Sequence, residues 1–336
     1  MISIVHSRHL SWLLALCFVS IECTAAPKAD ADSFSDVTGA MSWLFPLNPP
    51  DRNNNLAADD KAPVHLANSR MKFTKAQLTD LYFTPDWHPE SHSPMPEIVL
   101  HGRPPGTFAC GYCHLPGGQG RPENAALAGL PASYIVQQVA DFKSGARGSA
   151  WYGKSYLPID LMRKVADNAD ETDVATAAEY FSAQTLHPRV TVIERARIPR
   201  MRAFAWIYAT DPAGGEEALG QRIIEWTPDE SRHENRDDEM RYSAFVPPGS
   251  VNRGRQLATT PRGELGQACT NCHGEHLQGM GLIPPLAGRS PTYLLRQLVA
   301  FRTHDRAGVA GAPMQAVAAT LGLSDMIALA AFAATE

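Results

Sequence analysis

The five residues Cys110-Gly111-Tyr112-Cys113-His114 return with the same spacing as Cys269-Thr270-Asn271-Cys272-His273, 159 positions further on. C-x-x-C-H is the attachment sequence of c-type haem. Two thiols separated by two residues in a turn reach the two vinyl groups on one edge of a porphyrin. The next side chain then lies under the ring, where an imidazole binds the iron. The alternatives are a zinc half-site and a dithiol redox pair. Zinc ribbons hold their two pairs about 15–20 residues apart, and neither alternative requires a histidine directly after the second cysteine in both copies. The motif predicts two covalent haem c groups attached at Cys110, Cys113, Cys269 and Cys272, with His114 and His273 as axial ligands.

The duplication extends beyond the motif. Leu127-Ala128-Gly129, Tyr134, Gln138, Phe142 and Arg147 recur as Leu286-Ala287-Gly288, Tyr293, Gln297, Phe301 and Arg306, at the same offset of 159. The tyrosine, glutamine and phenylalanine of each set step by four, so each set lies along one face of a helix. Further on the offset becomes 152, pairing Met162 with Met314, Asp173 with Asp325 and Tyr180 with Phe332, so seven extra residues fall between Arg147 and Met162. Thr172 and Ser324 are the expected N-caps of two closing Ala-rich helices. One methionine alone is usually a gap-filler, but two at equivalent places predict Met162 and Met314 as the sixth iron ligands. His101 and Lys154 are the substitutes for Met162, whereas Met280 follows its motif too soon and is read as packing. Arg147, Arg306, Tyr134 and Tyr293 either meet haem propionates or are helix-end arginines and core tyrosines. Trp151 and Tyr152, in the inserted stretch, cover the first haem or line a docking edge.

The first 26 residues read as a secretory signal: Arg8, an apolar run from Trp12 to Ile21, and small residues at Thr24-Ala25-Ala26. Of the six cysteines, Cys17 and Cys23 leave with that segment and the other four are the motif thiols, so no structural disulfide is expected. Export to the periplasm also fits c-type haem attachment. A formal charge of −5 over 336 residues, without a basic block, gives nucleic-acid binding little support, and no nucleic-acid partner is expected.

Residues 27–95 read as an N-terminal arm, carrying one apolar island from Met41 to Pro46. A capping box at Thr74 and Gln77 opens a short helix to about Tyr82. His88 and His92 follow in a loop, as metal ligands or as satisfied loop histidines, and a short helix is expected from Pro96 to Arg103. Between the two repeats, Val190–Glu194, Met201–Tyr208 and Gly220–Trp226 have strand composition, followed by a mixed-charge loop from Thr227 to Arg241. A helix is expected to begin near Ser250.

Over roughly residues 96–183 and 250–335 the chain resembles the class I cytochromes c, in their two-domain dihaem bacterial periplasmic form. The resemblance implies a small helical haem fold in each half and a role carrying electrons. Combined with the residue reading, the expected fold is mainly α. Two tandem cytochrome c haem domains (96–184 and 250–336) are joined by a small antiparallel β insert (185–249), after an extended N-terminal arm (27–95) and the signal peptide (1–26). The resemblance implies redox-protein partners: a periplasmic dehydrogenase and a terminal oxidase or reductase, with a membrane-associated partner among the candidates. No catalytic residue is expected. The alternatives are a cytochrome subunit of a periplasmic dehydrogenase and a peroxidase-like enzyme with one open haem, against which the paired methionines argue.

Overall fold

The computed structural model describes residues 39–47, 62–148, 156–261 and 267–336. The expected signal segment, and Trp151, Tyr152 and Lys154, lie outside the described residues. No single helix among the described residues is long and apolar enough to cross a membrane.

A short hairpin, β1 (Pro63–His65) and β2 (Lys72–Thr74), leads into α1 (Lys75–Thr79). The Gln77 amide donates to Thr74 Oγ1 (3.3 Å) while the Thr74 amide donates to Gln77 Oε1 (2.9 Å), a reciprocal cap. The helix stops short of the expected Tyr82, because the Asp80 carboxylate takes the Tyr82 amide (2.8 Å) and turns the chain. The first helical half follows: α2 (Glu97–Leu100), α3 (Cys110–His114), α4 (Ala132–Lys143), α5 (Leu157–Asn168) and α6 (Glu171–Ser182). The cap of α6 is Asp170, whose side chain accepts from the Asp173 amide (2.7 Å); the expected cap, Thr172, sits inside the first turn.

Next come β3 (Val190–Glu194), β4 (Arg197–Pro199), β5 (Met201–Phe204), β6 (Ile207–Thr210), β7 (Glu216–Ala218), β8 (Ile224–Trp226), α7 (Glu230–Glu234) and β9 (Tyr242–Val246). Five of these strands form one sheet in the order β3-β9-β8-β6-β5, and β4 pairs with β7 apart from it. The sheet is mixed, which corrects the expected antiparallel arrangement: β3 runs parallel to β9 and β6 parallel to β8. Strand composition marks where strands lie, but parallel partners are joined by long connections that composition does not reveal. The insert touches both halves, through the sheet on one side and the loop before β9 on the other. Glu225 Oε2 accepts from Ser290 Oγ (2.6 Å) and Thr292 Oγ1 (2.5 Å) on one side, and Arg236 donates to the Tyr112 carbonyl (3.0 Å) on the other.

The second half comprises α8 (Ser250–Thr259), α9 (Cys269–His273), α10 (Pro291–Arg302), α11 (Ala312–Ala319) and α12 (Leu323–Ala333). Ser290 caps α10 by accepting from the Tyr293 amide (3.1 Å), with Pro291 in the first turn. α12 begins after Gly322, and no side-chain bond from the expected Ser324 caps it. Helices α8 and α12 cross so closely that a Cβ on Gly254 would collide with the Ala328 carbonyl and stand 2.6 Å from Phe332 Cβ.

Both sequence offsets reappear in backbone bonds. The Gly129 amide donates to Phe181 O (3.2 Å) and the Gly288 amide to Ala333 O (2.9 Å), tying each loop after the motif to the closing helix of its half. The apolar island of the arm does not lie loose. Gly39–Leu44 forms a 3-10 turn, and Met41, Leu44 and Phe45 are buried in the core of the second half with Leu295, Val299 and Phe332. Burying such a side chain contributes about 1.5–3 kcal/mol, enough to hold this segment in place.

Candidate haem sites

Helix α3 is one short turn, and it presents Cys110, Cys113 and His114 to a cavity enclosing about 1530 Å³ with its mouth. Met162, from α5, lines the same cavity, so the structure brings together all four residues expected at the first haem. Ile98, Leu130, Val165 and Phe181 supply apolar wall.

The histidine of each motif is held the same way. His114 Nδ1 donates to the Ala125 carbonyl (2.8 Å) and His273 Nδ1 donates to the Pro284 carbonyl (2.9 Å), two carbonyls at the repeat offset of 159. A carbonyl only accepts, so Nδ1 carries the proton and the Nε2 lone pair is left for a metal. Burial pushes both imidazoles below their ordinary 6.5 and keeps them neutral, the form that ligates.

Burial also pushes the Cys110 thiol up to about 12 and raises that of Cys113. A dithiol redox pair works through a lowered thiol, so this environment opposes that alternative. No disulfide joins the four motif cysteines.

In the second half, Cys269 on α9 and Met314 on α11 pack against the core cluster, His273 is buried and Cys272 is exposed. His101 is exposed, with Nδ1 facing the Tyr82 carbonyl (3.4 Å), and is absent from the wall of the first cavity. Met280 is 49% exposed, which corrects its reading as packing: the turn closed by Met280 and Ile283 carries it to the surface.

The repeated Tyr, Gln and Arg residues meet where the halves touch. Gln138 Oε1 accepts from Arg147 Nη1 (2.8 Å) and Arg306 Nη2 (2.7 Å), and Gln297 Oε1 accepts from Arg147 Nη2 (2.9 Å). All six side chains line the first cavity, and neither arginine is the exposed helix-end residue of the alternative reading. Burial alone would raise Tyr134, but the Arg306 and Arg147 guanidiniums bring it below its ordinary 10.0. This stretch of the wall, with Arg147 and Arg306 beside two tyrosines and two glutamines, is positive and rich in donors, as the carboxylates of a porphyrin require.

Sequence reasoning missed Phe45, Tyr156, Glu123 and Arg296, which also line the cavity. Phe45 and Tyr156 meet edge to face at 4.9 Å. Arg296 is buried in α10 of the second half and donates to the Leu44 carbonyl (3.0 Å) and to that of Pro122. The local signals were the apolar island that holds Phe45 and, for Arg296, its place beside the repeated Gln297 on α10.

No protein-family model matches the chain. It is 40% identical over 76 residues to cytochrome c-554(547) of Halothiobacillus neapolitanus, covering 20% of this chain and 84% of that protein. It is 26% identical over 227 residues to cytochrome c4 of Azotobacter vinelandii, covering 66% of this chain and 82% of the relative. It is also 26% identical over 208 residues to a thiosulfate dehydrogenase electron acceptor of Thiomonas intermedia (strain K12), covering 61% and 68% respectively.

Proposed function

Because the chain belongs to the class I cytochromes c, as an electron-transfer member with covalently bound haem c, we propose that it carries electrons outside the cytoplasm through two haems. In this reading each iron is held between a histidine and a methionine. The haem units are residues 96–184 and 250–336, and the exported form begins after Ala26.

The observation that carries the reading is that one cavity is lined by Cys110, Cys113, His114 and Met162 together. Haem iron supplies one-electron chemistry by cycling between its ferric and ferrous states. The thiols of Cys110 and Cys113 anchor one edge, and the carbonyl of Ala125 orients the His114 imidazole. The Met162 thioether, on the same cavity wall, would be the second side chain to hold that iron, and a thioether ligand raises the potential. Cys269, Cys272, His273 and Met314 have the same four roles in the second half, with Pro284 as the orienting carbonyl. With a histidine and a methionine of the chain to hold each iron, no outside ligand would need to bind or leave, which suits electron transfer rather than peroxide or oxygen chemistry. Tyr134, Gln138, Arg147, Tyr293, Gln297 and Arg306 offer donors to haem carboxylates at the junction of the halves.

The donor in this reading is a periplasmic dehydrogenase and the acceptor a terminal oxidase or reductase. The likeness to a thiosulfate dehydrogenase electron acceptor favours a dehydrogenase partner. The test is stopped-flow mixing of the oxidised protein with a thiosulfate dehydrogenase and thiosulfate. Rapid reduction of both haems is expected, and haems that stay oxidised would remove this donor. If the two proteins co-purify as a fixed complex, the chain is a subunit rather than a diffusing carrier.

A further inference from the structure

Away from the haem cavity, one group of potential donor atoms joins segments far apart in the chain. His88, in the loop after α1, and Asp237 and Asp238, between α7 and β9, each offer a ligand atom within 4.8 Å of the others. All three are buried, at 1%, 1% and 5% exposure. His88 Nε2 lies 3.2 Å from Asp237 Oδ1 and 3.8 Å from Glu239 Oε2. Asn68 Nδ2 also lies 3.2 Å from that nitrogen and donates to Glu239 Oε2 (3.2 Å).

The two carboxylates are not equally satisfied. Arg232 Nε pairs with Asp237 Oδ2 (2.5 Å), but Arg189 gives its Nη1 proton to the backbone carbonyl of Asp238 (2.7 Å) and not to the carboxylate. Asp238 Oδ2 is reached by Ser91 Oγ at 3.5 Å, and Oδ1 is buried with no hydrogen-bond partner. An unpartnered carboxylate oxygen away from water is costly, and a bound cation removes that cost.

We propose that His88, Asp237 and Asp238 bind one divalent metal ion of the zinc class. An imidazole nitrogen with two carboxylate oxygens is a donor set for zinc, whereas calcium and magnesium take oxygen ligands throughout. A water, or the half-exposed Glu239 carboxylate, completes four-coordination. The ion staples the segment preceding the first haem unit to the loop that carries Arg236, whose guanidinium stands 3.6 Å over the Tyr112 ring between the two motif cysteines. The site does not depend on the electron-transfer reading.

The test uses the untagged holoprotein, stripped of adventitious metal with a chelator. Zinc chloride alone is titrated in by calorimetry, and bound zinc is counted after gel filtration. The expected result is one saturable zinc per chain, a higher melting temperature with zinc, and no comparable heat with calcium. His88→Gln and Asp238→Asn should each weaken zinc about tenfold or more, with the haem absorption spectrum unchanged as the check on folding. A wild-type protein with no saturable site, or with calcium bound as tightly as zinc, overturns the proposal whatever the variants do. So does a folded Asp238→Asn that binds zinc like the wild type.

Discussion

Arg147 and Arg306 pair backbone to backbone as an antiparallel bridge, and each sends its guanidinium into the opposite half. Arg147 Nη2 donates to Tyr293 Oη (3.1 Å), and Arg306 Nη2 donates to Tyr134 Oη (3.1 Å). The two arginines are equivalent in the repeat, so the contact is close to two-fold symmetric and each glutamine accepts from both. The network belongs to neither half alone. It joins the two halves at the wall of the cavity lined by Cys110, Cys113 and His114.

Replacing Arg306 by methionine removes charge-assisted bonds from buried acceptors, which costs about 1.5–3 kcal/mol. Arg147→Met should cost a similar amount, and the double variant less than the sum, because Gln138 and Gln297 serve both arginines. Chemical denaturation of the three variants measures this. Full additivity would show that the two arginines act separately.

The close crossing of α8 and α12 depends on Gly254. With the Ala328 carbonyl and Phe332 in the way, Gly254→Ala forces the helices apart and should destabilise the second half by about 1–3 kcal/mol. Thermal melting followed at the haem absorption reports it, and an unchanged midpoint would contradict the packing described.

Phe45 fills the core of the second half at 2% exposure, against Tyr156. Phe45→Ala should cost about 3–5 kcal/mol. A truncated protein beginning after Leu47 should melt lower still, since Met41 and Leu44 leave with it. Equal stability of the truncated and full-length mature forms would mean that the arm is dispensable.

Arg103 donates to both carboxylate oxygens of Asp173 (2.6 Å each), and this bond holds the Asp173 carboxyl below its ordinary 3.8. A depressed carboxyl contributes stability above its unfolded pKa and loses it as pH falls through the lower folded value. Acidification from about pH 4 downward should therefore lower the melting temperature of the wild type more than that of Asp173→Asn, which has no such proton to take up. Parallel melting-against-pH curves for the two proteins would refute the link.

Met314→Ala should open one iron, lower its potential and let carbon monoxide bind the reduced protein. Met162→Ala should do the same at the other haem. Carbon monoxide difference spectra of each variant decide the matter, and a variant that still excludes the gas has a different sixth ligand.

Much of this was legible in the sequence because the chain says it twice. The offset of 159 located both motifs and both Tyr-Gln-Phe helix faces, and Gly129 and Gly288 bind their closing helices in the same way. The change to 152 marked Asp173 and Asp325, which both accept from arginines, Arg103 and Arg253. What stayed hidden was non-local. Nothing near Met41 or Phe45 says that they enter a core more than 200 residues away, with Leu295 and Val299. A strand such as β9 carries no mark of lying parallel to β3. The carbonyl partners of His114 and His273 depend on loop conformation, which residue types alone do not specify.

The most direct test of the account is a spectroelectrochemical titration of the purified holoprotein, with carbon monoxide added at the reduced end. Two one-electron transitions are expected, each with a sulfur-to-iron charge-transfer band in the oxidised form and neither with gas uptake. Carbon monoxide binding at either haem of the unmodified protein would contradict it.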